Sequence, residues 1–155
     1  MIHLIYSDKF LEHDTGRPHP ESARRLLSIT KALRRVSWAD QLVWHEPESM
    51  VQRDASFWVK QIHDEDYLAK LKQMADGGGG HWDGDTVVSP RSFDVAMLAV
   101  QACLDGVDLV LKTGEIAFVL VRPPRSPCGA IECDGVLFAG KCGDRRPLWV
   151  EFRRH

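Results

Sequence analysis

Hydrophobic and polar positions alternate in recognisable periods along the first 121 residues. Ile2–Tyr6 (IHLIY) is a short run of β-type apolar residues. The polar, turn-rich segment SDKFLEHDTGRPHPES follows. From Pro20-Glu21-Ser22 the spacing becomes helical, with Leu26, Leu27, Ile29, Leu33 and Val36 recurring on that period. Leu42–Trp44 reads as a short strand, and part of 55–62 as a second helix. A third helix is expected over 65–75, with Tyr67, Leu68, Leu71 and Met74 on one face. Gly77–Gly80 ends it, because glycine loses more backbone freedom in a helix than any other residue. Pro90 opens a long helix whose expected stripe is Phe93, Met97, Val100, Leu104 and Val107. It runs to Lys112, and Thr113-Gly114 closes it. Ile116–Val121 (IAFVLV) is nearly all apolar, the mark of a strand buried on both faces of a parallel sheet. The order β-α-(β)-α-α-α-β predicts an α/β fold, a parallel sheet flanked by helices. Past Pro123 no period survives, and prolines, glycines and arginines interrupt the chain; the closing LWVEF is apolar but isolated.

Composition agrees with a globular protein: 155 residues, one ordinary domain in length, 44% hydrophobic and 27% charged. The net charge of −2 gives no general attraction to nucleic acid or to an anionic membrane. No apolar run reaches membrane-spanning length, and MIHLIYSDKF lacks the basic start and apolar core of a signal peptide. A cytoplasmic location is therefore the default expectation. Charge is uneven. Residues 1–121 carry 13 basic and 18 acidic side chains; residues 122–155 carry 7 and 4. The composition thus changes where the pattern is lost.

The four cysteines are Cys103, Cys128, Cys133 and Cys142. Their C-x4-C and C-x8-C gaps do not match paired zinc-ribbon spacings, so they read as unpaired thiols. Gly77–Gly80 lacks the Gly-Lys-Ser/Thr of a phosphate loop and reads as a flexible linker. His13, His19, His63 and His81 form no H-x-x-x-H or H-E-x-x-H pair, which leaves hydrogen-bonding or surface roles ahead of metal binding. Asp83 and Asp85 read as an Asx turn, with backbone N–H recognition of a peptide as the functional alternative. Arg24 and Arg25 read as a solvated helix face. Arg122-Pro123-Pro124 sits at the carboxyl end of a buried strand, where parallel α/β proteins hold ligands.

Four segments resemble the histone deacetylase family, above all its bacterial acetoin-utilisation and class II-like members: YSDKFLEHDTGRPHPESARRLLSI, IHDEDYLAKL, GDTVVSPRSFDVAMLAV and AFVLVRPP. The resemblance covers residues 2–124 in family order and spacing. It implies the N-terminal part of an arginase/deacetylase-type parallel sheet flanked by helices, incomplete in this chain. It also implies zinc-dependent hydrolysis of an acetyl-lysine-like amide or a small acyl-amide. Zinc polarises the carbonyl and activates water in that chemistry, tandem histidines move protons, and a tyrosine stabilises the oxyanion.

The departures are as specific as the match. After RPP the family carries glycine and two adjacent histidines; this chain has Arg125-Ser126. Metal-binding aspartates, histidine and tyrosine belong to later segments of the family pattern. The resemblance therefore carries over only a substrate rim. Asp85 matches the loop aspartate that grips substrate amides, Arg25 matches the arginine lining the inner channel, and residues 6–21 match the first loop bordering the pocket. No catalytic or metal residue is assigned, and no cofactor is expected for this chain. Reading Pro124–Leu148 one base later, with synonymous codons chosen, can spell PGHHAGRSSAMGFCLLGNVAIAARY, which restores the tandem histidines in family order. The expected organisation is a deacetylase-like portion, 1–124, followed by an out-of-frame tail, 125–155. The expected function is that of a truncated, inactive family member; the alternative is a non-catalytic module that binds peptide or acyl ligands through the rim. Marginal stability is expected for the chain alone.

Overall fold

The computed structural model describes residues 1–16, 22–47, 54–84 and 86–122, and the backbone of two further strands, 136–141 and 147–149. Three strands form a parallel unit: β1 (Ile2–Ile5), β2 (Leu42–His45) and β5 (Ile116–Leu120). β1 lies in the middle, with Ile2 opposite Leu42 on one side and Ile116 on the other. A two-stranded antiparallel ribbon, β3 (Gly80–His81) with β4 (Val87–Val88), stands apart from this sheet.

Beyond β5 the sheet changes direction. β6 (Val136–Lys141) pairs antiparallel with β5, and β7 (Pro147–Trp149) pairs antiparallel with β6. The pattern reading left this region without elements. β5 is apolar along its whole length, and the bare N–H and C=O groups on its far edge need partners. The short VLFAG run supplies them, and the final order is β2-β1-β5-β6-β7.

Four helices occur among the described residues: α1 (Ala23–Leu33), α2 (Ala55–Val59), α3 (Glu65–Asp76) and α4 (Ser92–Thr113). α4 covers one face of the sheet, and its buried side is not the expected stripe. Val95, Leu98, Ala99, Ala102, Gly106, Leu109 and Val110 are buried, whereas Phe93, Met97, Val100, Leu104 and Val107 are half-buried flanks. The reason is closeness to the strands. A Cβ at Gly106 would stand 2.8 Å from Val119 Cγ2 and 3.4 Å from Ile5 Cδ1. Small residues let the helix backbone approach there, and bulky ones are displaced to the sides. Gly114, at φ 74°, caps the helix as expected.

The opposite sheet face meets α1. Tyr6 lies edge-on to Trp44 at 6.2 Å, and the Arg34 guanidinium, just past α1, lies 4.5 Å from the Trp44 ring centre. Leu26 joins the main core with Ile5, Phe10, Val119 and Leu120, while Leu27 and Ile29 are exposed. α2 is shorter than the expected segment, five residues long, with Asp54 capping it through the Ser56 amide at 2.9 Å.

The glycine run is not a linker. The amides of Gly77 and Gly79 bond to Gln73 and Met74 carbonyls and close α3. Gly78 and Gly79 have φ of 102° and 90°, and a Cβ on Gly79 would meet the Val88 carbonyl oxygen at 2.4 Å. Glycine is needed where the chain turns back against β4.

Candidate functional site: the first loop and the end of β5

The first loop runs from β1 into a 3-10 turn, Asp8–Glu12, and on through His13-Asp14-Thr15-Gly16. Ser7 starts the turn by accepting the Lys9 amide at 3.4 Å. Phe10 is wholly buried and anchors it to the core. The Tyr6 hydroxyl donates to Asp8 Oδ1 at 2.7 Å; burial first, and then the Asp8 carboxylate, push the phenol well above its ordinary range.

His13 and Thr15 are buried although they lie in a polar loop. His13 Nδ1 lies 2.7 Å from Ser92 Oγ, at the start of α4. Ser92 Oγ accepts the Ser89 amide at 2.6 Å and lies 2.9 Å from Ser89 Oγ, which accepts the Asp14 amide at 3.1 Å. The Asp14 amide donates to Ser89 Oγ and the Ser89 amide to Ser92 Oγ, so the two hydroxyls and the His13 ring form one connected network.

Arg122 closes the network from β5. It is buried, and its guanidinium donates to the His13 carbonyl and, at 3.4 Å, to Thr15 Oγ1. Arginine cannot shed its charge, so a buried one requires such acceptors. Outside this network, Arg91 bridges Glu12 and Asp94, each at 2.8 Å. Both bridges are exposed, and screening leaves them minor contributors. The first loop is thus fixed to the carboxyl end of β5, one residue before Pro123-Pro124.

Of the expected site residues, Arg25 lies on the exposed side of α1. Asp85 and His19 lie outside the described residues. Asp83 accepts the Thr86 amide at 2.7 Å, in keeping with the turn reading of that loop. His63 stacks on Tyr67 at 5.2 Å and 23°, and Tyr67 meets the edge of Trp82 at 5.1 Å. Cys103 is half-buried on α4; the other cysteines lie outside the described residues. Among the described residues, no three His, Cys, Asp or Glu side chains are placed to hold a metal ion. No helix among the described residues is long and apolar enough to cross a membrane.

The sequence reading quoted the histidine, threonine, serine and arginine of this network within its motifs without pairing them. Ser92 is 79 positions from His13, and Arg122 is 109.

The parallel strands, the covering helices and this tethered loop define a class: an α/β domain of the deacetylase type. The solved HD domain of HDA15 matches it with a TM-score of 0.63 at 20% identity, over 79% of this chain and 36% of that one. The family model described as the histone deacetylase domain matches residues 19–135, and the chain belongs to the histone deacetylase family. It is 49% identical over 124 residues to an uncharacterised protein of Synechocystis sp., covering 80% of this chain and 40% of the relative. It is 30% identical over 136 residues to histone deacetylase 8 of Arabidopsis thaliana, covering 86% of this chain and 34% of the relative. A histone deacetylase-like amidohydrolase of Pseudomonas aeruginosa is 32% identical over 80 residues, covering 50% of this chain and 21% of the relative. The chain spans two-fifths or less of the length of these relatives.

Proposed function

We propose that this chain carries the rim and first-loop scaffold of a zinc-dependent amide hydrolase and does not itself hydrolyse amides. One observation carries the reading. The His13–Ser92–Arg122 network fixes the first loop against the end of β5, yet Arg125-Ser126 follow where the family places its tandem histidines. A rim so built borders a pocket, but hydrolysis also needs a proton acceptor and a polarised carbonyl. In intact relatives the corresponding substrate is an acetyl-lysine or small acyl-amide, zinc supplies the Lewis acid, and Asp85 and Arg25 stand on the substrate side by resemblance.

The same reading places a reading-frame shift at or just before Pro124, dividing the chain into a family portion, 1–124, and a tail, 125–155. Sequencing the gene tests it directly. Third bases that permit the Gly-His-His-Ala reading support the shift, and third bases that forbid it overturn it. Binding of acetylated peptide by the folded 155-residue chain, without hydrolysis, would instead favour a non-catalytic binding module.

A further inference from the structure

A second polar cluster, centred on the buried His3, lies away from the rim, on the sheet face that α4 covers. His3 of β1 is buried and has both ring nitrogens engaged. Its Nδ1 lies 2.8 Å from His45 Nε2 on β2, and its Nε2 lies 2.6 Å from Glu115 Oε2, just before β5. The three side chains run across all three parallel strands. The α-amino group of Met1 donates to the other Glu115 oxygen at 3.0 Å.

Proton counting sets the behaviour of this chain of groups. A carboxylate only accepts, so His3 Nε2 carries hydrogen toward Glu115. The His3–His45 contact has room for one hydrogen. With both rings neutral, His45 donates to His3. One added proton makes His3 an imidazolium that pairs with Glu115 and donates to a neutral His45, which has shifted its own hydrogen to Nδ1. A second added proton sets N–H against N–H, breaks the bond, and leaves two like charges with ring centres 5.0 Å apart.

We propose that His3, His45 and Glu115 form an acid-sensitive latch that holds the edge strand β2 to the sheet and releases it when the pair takes up a second proton. Burial first, and then the charge of His3, lower the His45 pKa from its ordinary value. Bonds from the Met1 amine, and then from His3, lower that of Glu115. Charged residues on the C-terminal half of α4, the helix over this face, are Asp105, Asp108 and Lys112, and Asp105 accepts a bond from Gln101 at 2.7 Å; Glu46, next in sequence to His45, acts on Tyr6 at the other face.

Both shifts act in the same direction with pH. His45 is harder to protonate folded than unfolded, so its contribution is complete above the ordinary histidine value, about 6.5, and fades as pH falls below it. Glu115 adds a second loss only below the ordinary carboxylate range, about 4.3.

Thermal melts of the full chain, at low micromolar concentration from pH 7.5 to 5.5, test the latch beside His45→Gln. The glutamine amide keeps a donor toward His3 and cannot take up a proton. The wild-type Tm is expected to fall by about 4 °C across this range. The variant is expected to lose less than a third of that. Parallel slopes overturn the proposal, as does the absence of a cooperative transition at every pH. A histidine-resolved NMR titration of the wild-type chain is the second arm. His45 titrating below the ordinary value supports the latch; His45 titrating at the ordinary value overturns it.

Discussion

Ser92 ties three partners with one oxygen: the His13 ring, the Ser89 amide and the Ser89 hydroxyl. Ser92→Ala removes that oxygen and leaves His13 Nδ1 and the Ser89 amide buried without it. The expected cost is about 1–3 kcal/mol, read as a lower urea midpoint with unchanged slope. Gly106→Ala acts through packing instead. The new methyl would stand 2.8 Å from Val119 Cγ2, in a core where the stiff valine has no room to turn. Its expected cost is about 1–3 kcal/mol, by the same measurement. His13 was weighed in the sequence as a candidate ligand or a hydrogen-bonding group. Its burial against Ser92 favours the second role, and that was not legible because Ser92 lies 79 positions away. Arg25 was legible as an exposed helix residue and is one.

At the scale of elements, periodicity located β1, β2, β5 and the four helices to within a few positions, but not the β3–β4 ribbon, which lies in a segment that reads as a loop. α4 is the informative exception. Counting bulky apolar residues favours Phe93, Met97 and Val107, but the buried face combines Val95, Leu98, Leu109 and Val110 with the small Ala99, Ala102 and Gly106. A hydrophobic pattern cannot register a contact that requires side chains to be small. The glycine run misled for a related reason. Flexibility and close approach both select glycine, and only the position of Val88 distinguishes them. Gly79→Ala tests which applies. A left-handed φ and a collision with the Val88 carbonyl predict a loss of about 1–3 kcal/mol, with faster amide exchange in the β3–β4 ribbon and at the end of α3. Unchanged exchange would return the run to the linker reading.

At the scale of the molecule, the strands at the ends of the described sheet and several apolar side chains bear on association. β2 and β7 are the terminal strands of the described sheet, and Phe57, Trp58 and Ile62 are exposed, Phe57 and Ile62 by more than half. Bare strand edges and exposed apolar side chains promote association. The chain is expected to melt at low temperature and to elute larger than a monomer as its concentration rises; a monomeric profile with a high Tm would contradict this. Family membership was legible because the motifs at 13–16, 63–68, 85–90 and 122–124 keep family order. The antiparallel β6 and β7 were not, since no sequence period announces them. The proposal is that the chain holds a deacetylase rim without deacetylase chemistry. Its most direct test is to equilibrate the purified 155-residue chain and a frame-corrected, full-length version with zinc, then measure bound metal and hydrolysis of an acetyl-lysine peptide. The account predicts stoichiometric zinc and turnover only for the frame-corrected protein; zinc retention with turnover by the 155-residue chain would contradict it.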